Sequence, residues 1–143
     1  MLRQMLVGAA VSALNIIIHA LVMAVVIWLM RMANAKNTSR PWLLLICGVM
    51  IAAVSVLMTA HAAEVIVCSL AYATVDAAPS GTDLVYFAFV NYTTLGYGDI
   101  TPVESWRLLG PMTAMNGVLL FGWSTAVIFE VLRRAMMRSD LLS

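Results

Sequence analysis

Three stretches of this chain lack the polar punctuation that a water-facing surface requires. Met5 to Met30 carries no formal charge, Trp42 to Tyr72 and beyond carries only Glu64, and Leu108 to Leu132 carries only Glu130. Each exceeds the roughly 20 apolar residues that a helix needs to cross the hydrocarbon, so the pattern predicts three transmembrane helices. A fourth apolar run, Leu84 to Tyr92, is aromatic and short. It follows a break from Asp76 to Gly81 containing Pro79, and Ser80 with Asp83 forms an S-x-x-D start signal. A helix entering near Thr82 and ending near Thr93 spans only about 16 Å, too short to cross. It fits a half-helix that dips into the membrane and returns as irregular backbone, which is tolerated where protein buries it or water lines it.

Composition narrows the class. Of 143 residues 63% are hydrophobic and 10% charged, with mean hydropathy +0.97, which excludes an ordinary soluble domain. A net charge of +1 gives no case for nucleic acid. Arg3 before the first run and Ala33-Asn34-Ala35 after it suggest a signal peptide, but the run is longer than the 7 to 15 apolar residues usual there, which favours a retained helix. Cys47 and Cys68 fall on one helix roughly 30 Å apart at helical rise, so they cannot bridge within it. The basic clusters Arg31, Lys36, Arg40 and Arg133, Arg134, Arg138 fall on one side of three spans. The positive-inside rule makes that side cytoplasmic and puts the N-terminus outside, with the chain in the plasma (inner) membrane.

Polar residues inside the spans carry candidate chemistry. Asn15 and His19 share a helix face at i, i+4, and His61 and Glu64 do so at i, i+3. His19 is a candidate ligand or proton relay, although an interhelical hydrogen bond is the more usual role. His61 and Glu64 form a metal or proton pair on one reading, but two ligands are too few for a metal site. Placement at the headgroup boundary is another reading.

Thr93-Thr94-Leu95-Gly96-Tyr97-Gly98-Asp99 links the short helix to the last span. Successive carbonyls can aim at one axis only where the backbone alternates between right- and left-handed conformations. Gly96 and Gly98 take the left-handed positions without steric cost. The heptapeptide resembles the selectivity filter of the potassium-channel pore-loop superfamily, and the resemblance extends over about Trp42 to Arg134. It implies an all-α membrane protein: three transmembrane helices, a re-entrant pore helix and filter loop between the last two, and a tetrameric pore. Residues 1–40 then form a first helix with a basic loop, and 41–143 the pore domain.

The resemblance also implies roles. Thr94, Leu95, Gly96, Tyr97 and Gly98 form the filter, with potassium ions at Thr94 to Tyr97. Asp99, at the outer mouth, and Thr93 support the filter, and Tyr86, Phe87, Phe89 and Tyr92 pack around it as an aromatic cuff with Tyr97; plain core packing is the alternative for each ring. Many relatives carry a carboxylate in the pore helix where this chain has Val90, so Glu64 with His61 is a candidate substitute brace. Leu95 replaces the usual valine or isoleucine, and Tyr86-Phe87 replaces paired tryptophans. The last helix lines the pore. Val118, Phe121, Thr125 and Phe129 are candidates for its lining or gate, and Gly117 and Gly122 for hinges or for close packing. Asn116 is a cavity or helix–helix polar group, and Glu130 pairs with Arg133 and Arg134 or enriches cations at the inner mouth. Trp106 is a candidate interfacial anchor.

One filter strand cannot surround an ion, so the expected partners are three further copies in a homotetramer and membrane lipid, with no nucleic acid or small-molecule substrate and no enzymatic activity. No span has arginine at every third position, which argues against a voltage sensor. The first helix, outside the resemblance, is expected to pack outside the second as scaffold. A potassium-selective channel is the leading reading, a weakly selective monovalent cation channel the alternative, and a metal-binding or redox membrane protein using His19, His61 and Glu64 the third.

Overall fold

The computed structural model describes residues 1–35 and 42–140. Lys36, Arg40 and Pro41, expected in the cytoplasmic loop, lie outside the described residues. All regular structure there is helical: α1 spans Leu2–Ala35, α2 Trp42–Thr74, α3 Leu84–Tyr92 and α4 Leu109–Asp140, with one 3-10 turn at Glu104–Trp106 before α4. Segments Leu2–Trp28, Ile46–Thr74 and Glu104–Arg134 are long and apolar enough to cross a membrane. At 34 residues α1 measures about 50 Å, well beyond the roughly 30 Å hydrocarbon core. A helix is the natural form of such runs, because lipid offers backbone N–H and C=O groups no partners.

The long helices pack along their lengths in two apolar clusters. One gathers Val65, Cys68, Tyr72, Phe87, Tyr92 and Trp106 around the short helix, and the other joins Val26, Ala53 and Val131. The first cluster explains why α3 sits between α2 and α4: Phe87 stacks on Tyr72 with ring centroids 5.1 Å apart. The Tyr72 hydroxyl in turn bonds Thr113 Oγ1 at 2.8 Å.

Two expectations need correction. The first helix does not sit outside α2 alone; it contacts α2 and α4 alike. Its polar residues decide this, since an all-round apolar helix can satisfy Asn15 and His19 only against other polar groups. Trp106 is buried at 4% exposure in the core cluster and not placed as a surface anchor. The Arg3 guanidinium lies 4.3 Å over its ring, and Gln4 Oε1 accepts from Leu108 N at 3.0 Å. These contacts dock the start of α1 beside the loop that leads into α4.

Candidate ion-conducting site

The short helix is held at both ends. Asp83 adopts an extended conformation and accepts hydrogen bonds from Val85 N and Tyr86 N, which makes it the N-cap. The helix begins at Leu84 rather than near Thr82, because Asp83 itself supplies the capping oxygen. At the other end Thr93 closes the helix, with its Oγ1 donating to Phe89 O at 2.8 Å.

Beyond Thr93 the chain turns back on the helix. Thr94 N donates to Asn91 O at 3.1 Å, while Leu95 N and Gly96 N donate to Val90 O at 3.0 and 3.4 Å. Among the described residues there is no cis peptide, and in a trans unit the C=O points opposite the N–H. The carbonyls of Thr94 and Leu95 therefore point away from α3. Thr94, Gly96 and Gly98 have φ of 62°, 57° and 80°, while Leu95 and Tyr97 do not share the positive sign. The backbone thus alternates in handedness at successive residues. The glycines were legible in the sequence; the left-handed Thr94 was not. Leu95, Gly96, Tyr97, Gly98 and Asp99 are exposed in the single chain, with Tyr97 at 68%. Asp99 Oδ2 accepts from the Tyr86 hydroxyl at 2.8 Å, and that carboxylate raises the Tyr86 phenol above its usual range. Phe87 and Val90 are buried, whereas Phe89 is exposed.

Behind this loop lies a buried polar cluster. The Tyr92 hydroxyl, on the last residue of α3, donates to Glu64 Oε2 and lies 2.9 Å from His61 Nδ1. Glu64 also meets His19 Nδ1 at 2.8 Å and His61 Nδ1 at 3.0 Å. Ser124 on α4 sits 2.9 Å from His61 Nε2 and 3.3 Å from His19 Nε2. Glu64 and His19 are both 0% exposed. Side chains of α1, α2 and α3 thus meet at one carboxylate, and α4 joins through Ser124 on the two histidines. One turn further, Asn15 Nδ2 donates to Asn116 Oδ1 at 2.9 Å and to Cys68 Sγ at 3.4 Å. Ser124 carries no sequence signal, since a lone hydroxyl in an apolar span is common; His19, which the sequence offers as a ligand with His61 and Glu64 or as an interhelical hydrogen bond, is brought to both of them.

A sequence model of the family described as ion channel matches residues 44–134. The chain belongs to that ion channel family. No curated protein and no solved structure matches it.

The matched segment runs from α2 to α4, and α1 lies outside it. Within this ion channel α4 presents Val118, Thr125 and Phe129 on an exposed face, at 58% for Val118 and 66% for Phe129. Phe121 departs from the expected lining set. Its ring packs 4.6 Å from His61 and 5.4 Å from Tyr92, centroid to centroid. At 100° per residue it lies about 60° around the helix from the other three, enough to turn it onto the polar cluster. Gly117 is buried, and a methyl built there would overlap the Tyr92 carbonyl oxygen. Close packing therefore accounts for Gly117, while Gly122 is exposed with open space around it. Glu130 pairs with Arg133 at 2.8 Å and with Arg134. Of the cysteines, Cys47 is exposed and Cys68 buried, both as free thiols.

Proposed function

We propose that this ion channel is a potassium-selective homotetramer of the plasma (inner) membrane, with four copies of Thr94-Leu95-Gly96-Tyr97 around one axis. The supporting observation is the alternation of handedness at Thr94, Gly96 and Gly98, combined with amides of Leu95 and Gly96 turned back onto Val90. The carbonyls of Thr94 and Leu95, in the same peptide units, are turned to the opposite side, where they replace the water shell of a potassium ion. The loop is exposed in one chain, and symmetry-related copies complete its enclosure. On this reading Asp99 and Tyr97 face the external mouth, Val118, Thr125 and Phe129 line the inner path, and the N-terminus lies outside.

The site has no need of a catalytic group, and potassium is cargo. The direct test is flux from liposomes containing purified protein, with potassium and sodium gradients measured separately. Potassium flux well above sodium flux is expected. Comparable rates for both ions would replace the potassium-selective reading with that of a weakly selective monovalent cation channel, in which Leu95 and the Tyr86–Asp99 contact hold the filter loosely. No flux of either ion would remove the conducting role assigned to the loop.

A further inference from the structure

The hydrogen bonds of the cluster behind the filter close on themselves. His19 Nδ1 meets Glu64 Oε1 at 2.8 Å, and Glu64 Oε2 meets His61 Nδ1 at 3.0 Å. His61 Nε2 meets Ser124 Oγ at 2.9 Å, and Ser124 Oγ meets His19 Nε2 at 3.3 Å. Four side chains from three helices thus form a ring of four polar contacts. Each contact needs one hydrogen, because two lone pairs facing one another in a buried site are repulsive and unsatisfied. The neutral imidazoles supply one hydrogen each, Ser124 supplies one and an ionised carboxylate supplies none. Tyr92 spends its own on Glu64, and its oxygen, 2.9 Å from His61 Nδ1, can only share the hydrogen there, so it adds none to the ring. Three hydrogens cannot fill four contacts.

We propose that the cluster is a binding site for one proton, shared around the ring, and that this proton holds the base of the filter in place through Tyr92. The count does not depend on which atoms carry it. An imidazolium beside the carboxylate fills all four contacts, and so does a carboxyl between two neutral imidazoles. Either way the ring is neutral, as its burial requires. Without the proton a single negative charge is buried and one contact has no hydrogen.

The link to conduction is short. Tyr92 ends α3, its hydroxyl rests on Glu64, its carbonyl abuts Gly117 and Thr94 is two residues further on. The titratable groups facing the ring are His19 from α1, His61, Glu64 and the neighbouring Cys68 from α2, and Tyr92 from α3. From α4 come the neutral Ser124 and the rings of Trp123 and Phe121. Among the described residues no Lys, Arg or Asp forms an ion pair with the ring.

A divalent metal is the competing occupant, since ligand atoms of His19, His61 and Glu64 lie within 4.8 Å of one another. The ring is already closed to hydrogen-bond separations, at 2.8 and 3.0 Å across Glu64. A tetrahedral zinc with bonds of about 2.0–2.1 Å holds its ligand atoms about 3.4 Å apart. The spacing suits a proton better.

The effect on flux rests on the conducting role proposed above, so the test has a second arm that does not. Potassium flux of the full chain in liposomes and its thermal midpoint in detergent are both measured from mildly acidic to alkaline pH. Both are expected to fall together in a one-proton step, the occupancy ratio changing about tenfold per pH unit. Glu64→Gln places a permanent amide hydrogen where the shared proton was, so its four contacts are filled with both imidazoles neutral. The step is expected to vanish from both measurements in that variant. Should Glu64→Gln fail to fold, Ser124→Ala carries the comparison, because opening the ring must move the midpoint of the step. A wild-type midpoint without the step, an unchanged step in Glu64→Gln or Ser124→Ala, or one zinc per chain in protein purified without chelator would each overturn the proton site. Absent flux at all pH values alongside an intact melting step would instead sink the conducting role and leave the proton site standing.

Discussion

Gly117 and Tyr92 meet where the last helix passes under the end of the short one, and the contact leaves no room for a side chain. The obstacle to a Cβ is a backbone carbonyl, which cannot swing aside as a side-chain terminus would. Gly117→Ala must therefore push α4 away from α3 or rotate it, and overpacking of this kind costs about 1–3 kcal/mol. A lower thermal midpoint is expected, together with weaker filter function, since Tyr92 lies two residues before Thr94. The same substitution at Gly122, which meets nothing within 4 Å, is expected to leave the midpoint nearly unchanged. Equal midpoints for the two variants would remove the packing role of Gly117. At this scale the sequence is unevenly informative. Gly96 and Gly98 announced their positive φ, because few other residues tolerate it. Gly117 left two readings open, since a glycine in a span permits a hinge or a close approach and only the neighbour distinguishes them. Ser124 and the left-handed Thr94 were invisible, one being an ordinary helical residue by type and the other a residue that normally avoids that region.

The short helix owes its place to its caps as much as to its aromatic faces. Nine residues are too few for a helix to be stable alone, so its first turn depends on Asp83 accepting two backbone hydrogen bonds. Asp83→Ala removes both, and loss of such a cap costs about 1 kcal/mol. Asp83→Asn keeps a capping oxygen and should recover most of the loss, a contrast readable as two thermal midpoints in the same detergent. Equal losses in the two variants would mean that the charge and not the cap is what counts. Element lengths were legible because lipid enforces helices across every long apolar run, and three such runs gave three spans. Partners of those elements were less so. An apolar stripe normally tells which side of a helix is buried, but α1 is apolar all round, and only Asn15 and His19 mark its inward face. Their partners, Asn116 and Glu64, lie on two different helices. That is why α1 was expected against α2 alone and is found against α2 and α4. Phe121 shows the same limit: three-to-four spacing grouped it with Val118, Thr125 and Phe129, whereas the pull of His61 and Tyr92 turned it inward.

For the whole molecule the decisive feature is what one chain leaves uncovered. The loop from Leu95 to Asp99 is exposed, as are Val118 and Phe129 on α4, and neither surface is covered by residues of its own chain. In the proposed homotetramer a ring of identical copies would cover them with a single repeated contact, the usual economy of closed symmetric assemblies. The number of copies follows from dilution with a dead subunit. Gly96→Ala forces a methyl group into a left-handed position at φ 57°. Because a Cβ built there meets only the Thr94 carbonyl oxygen, at an ordinary contact distance of 3.8 Å, the variant is expected to fold and assemble while conducting nothing. Co-expressed in equal amounts with wild-type chains that mix at random, it leaves a fourfold ring fully wild type in roughly one case in sixteen, against roughly one in four for a twofold assembly. Flux near the lower fraction is the expected result, with crosslinking of the same sample running to four chains. Flux near one half would mean that each chain conducts by itself, and the proposed shared axis would have to be abandoned.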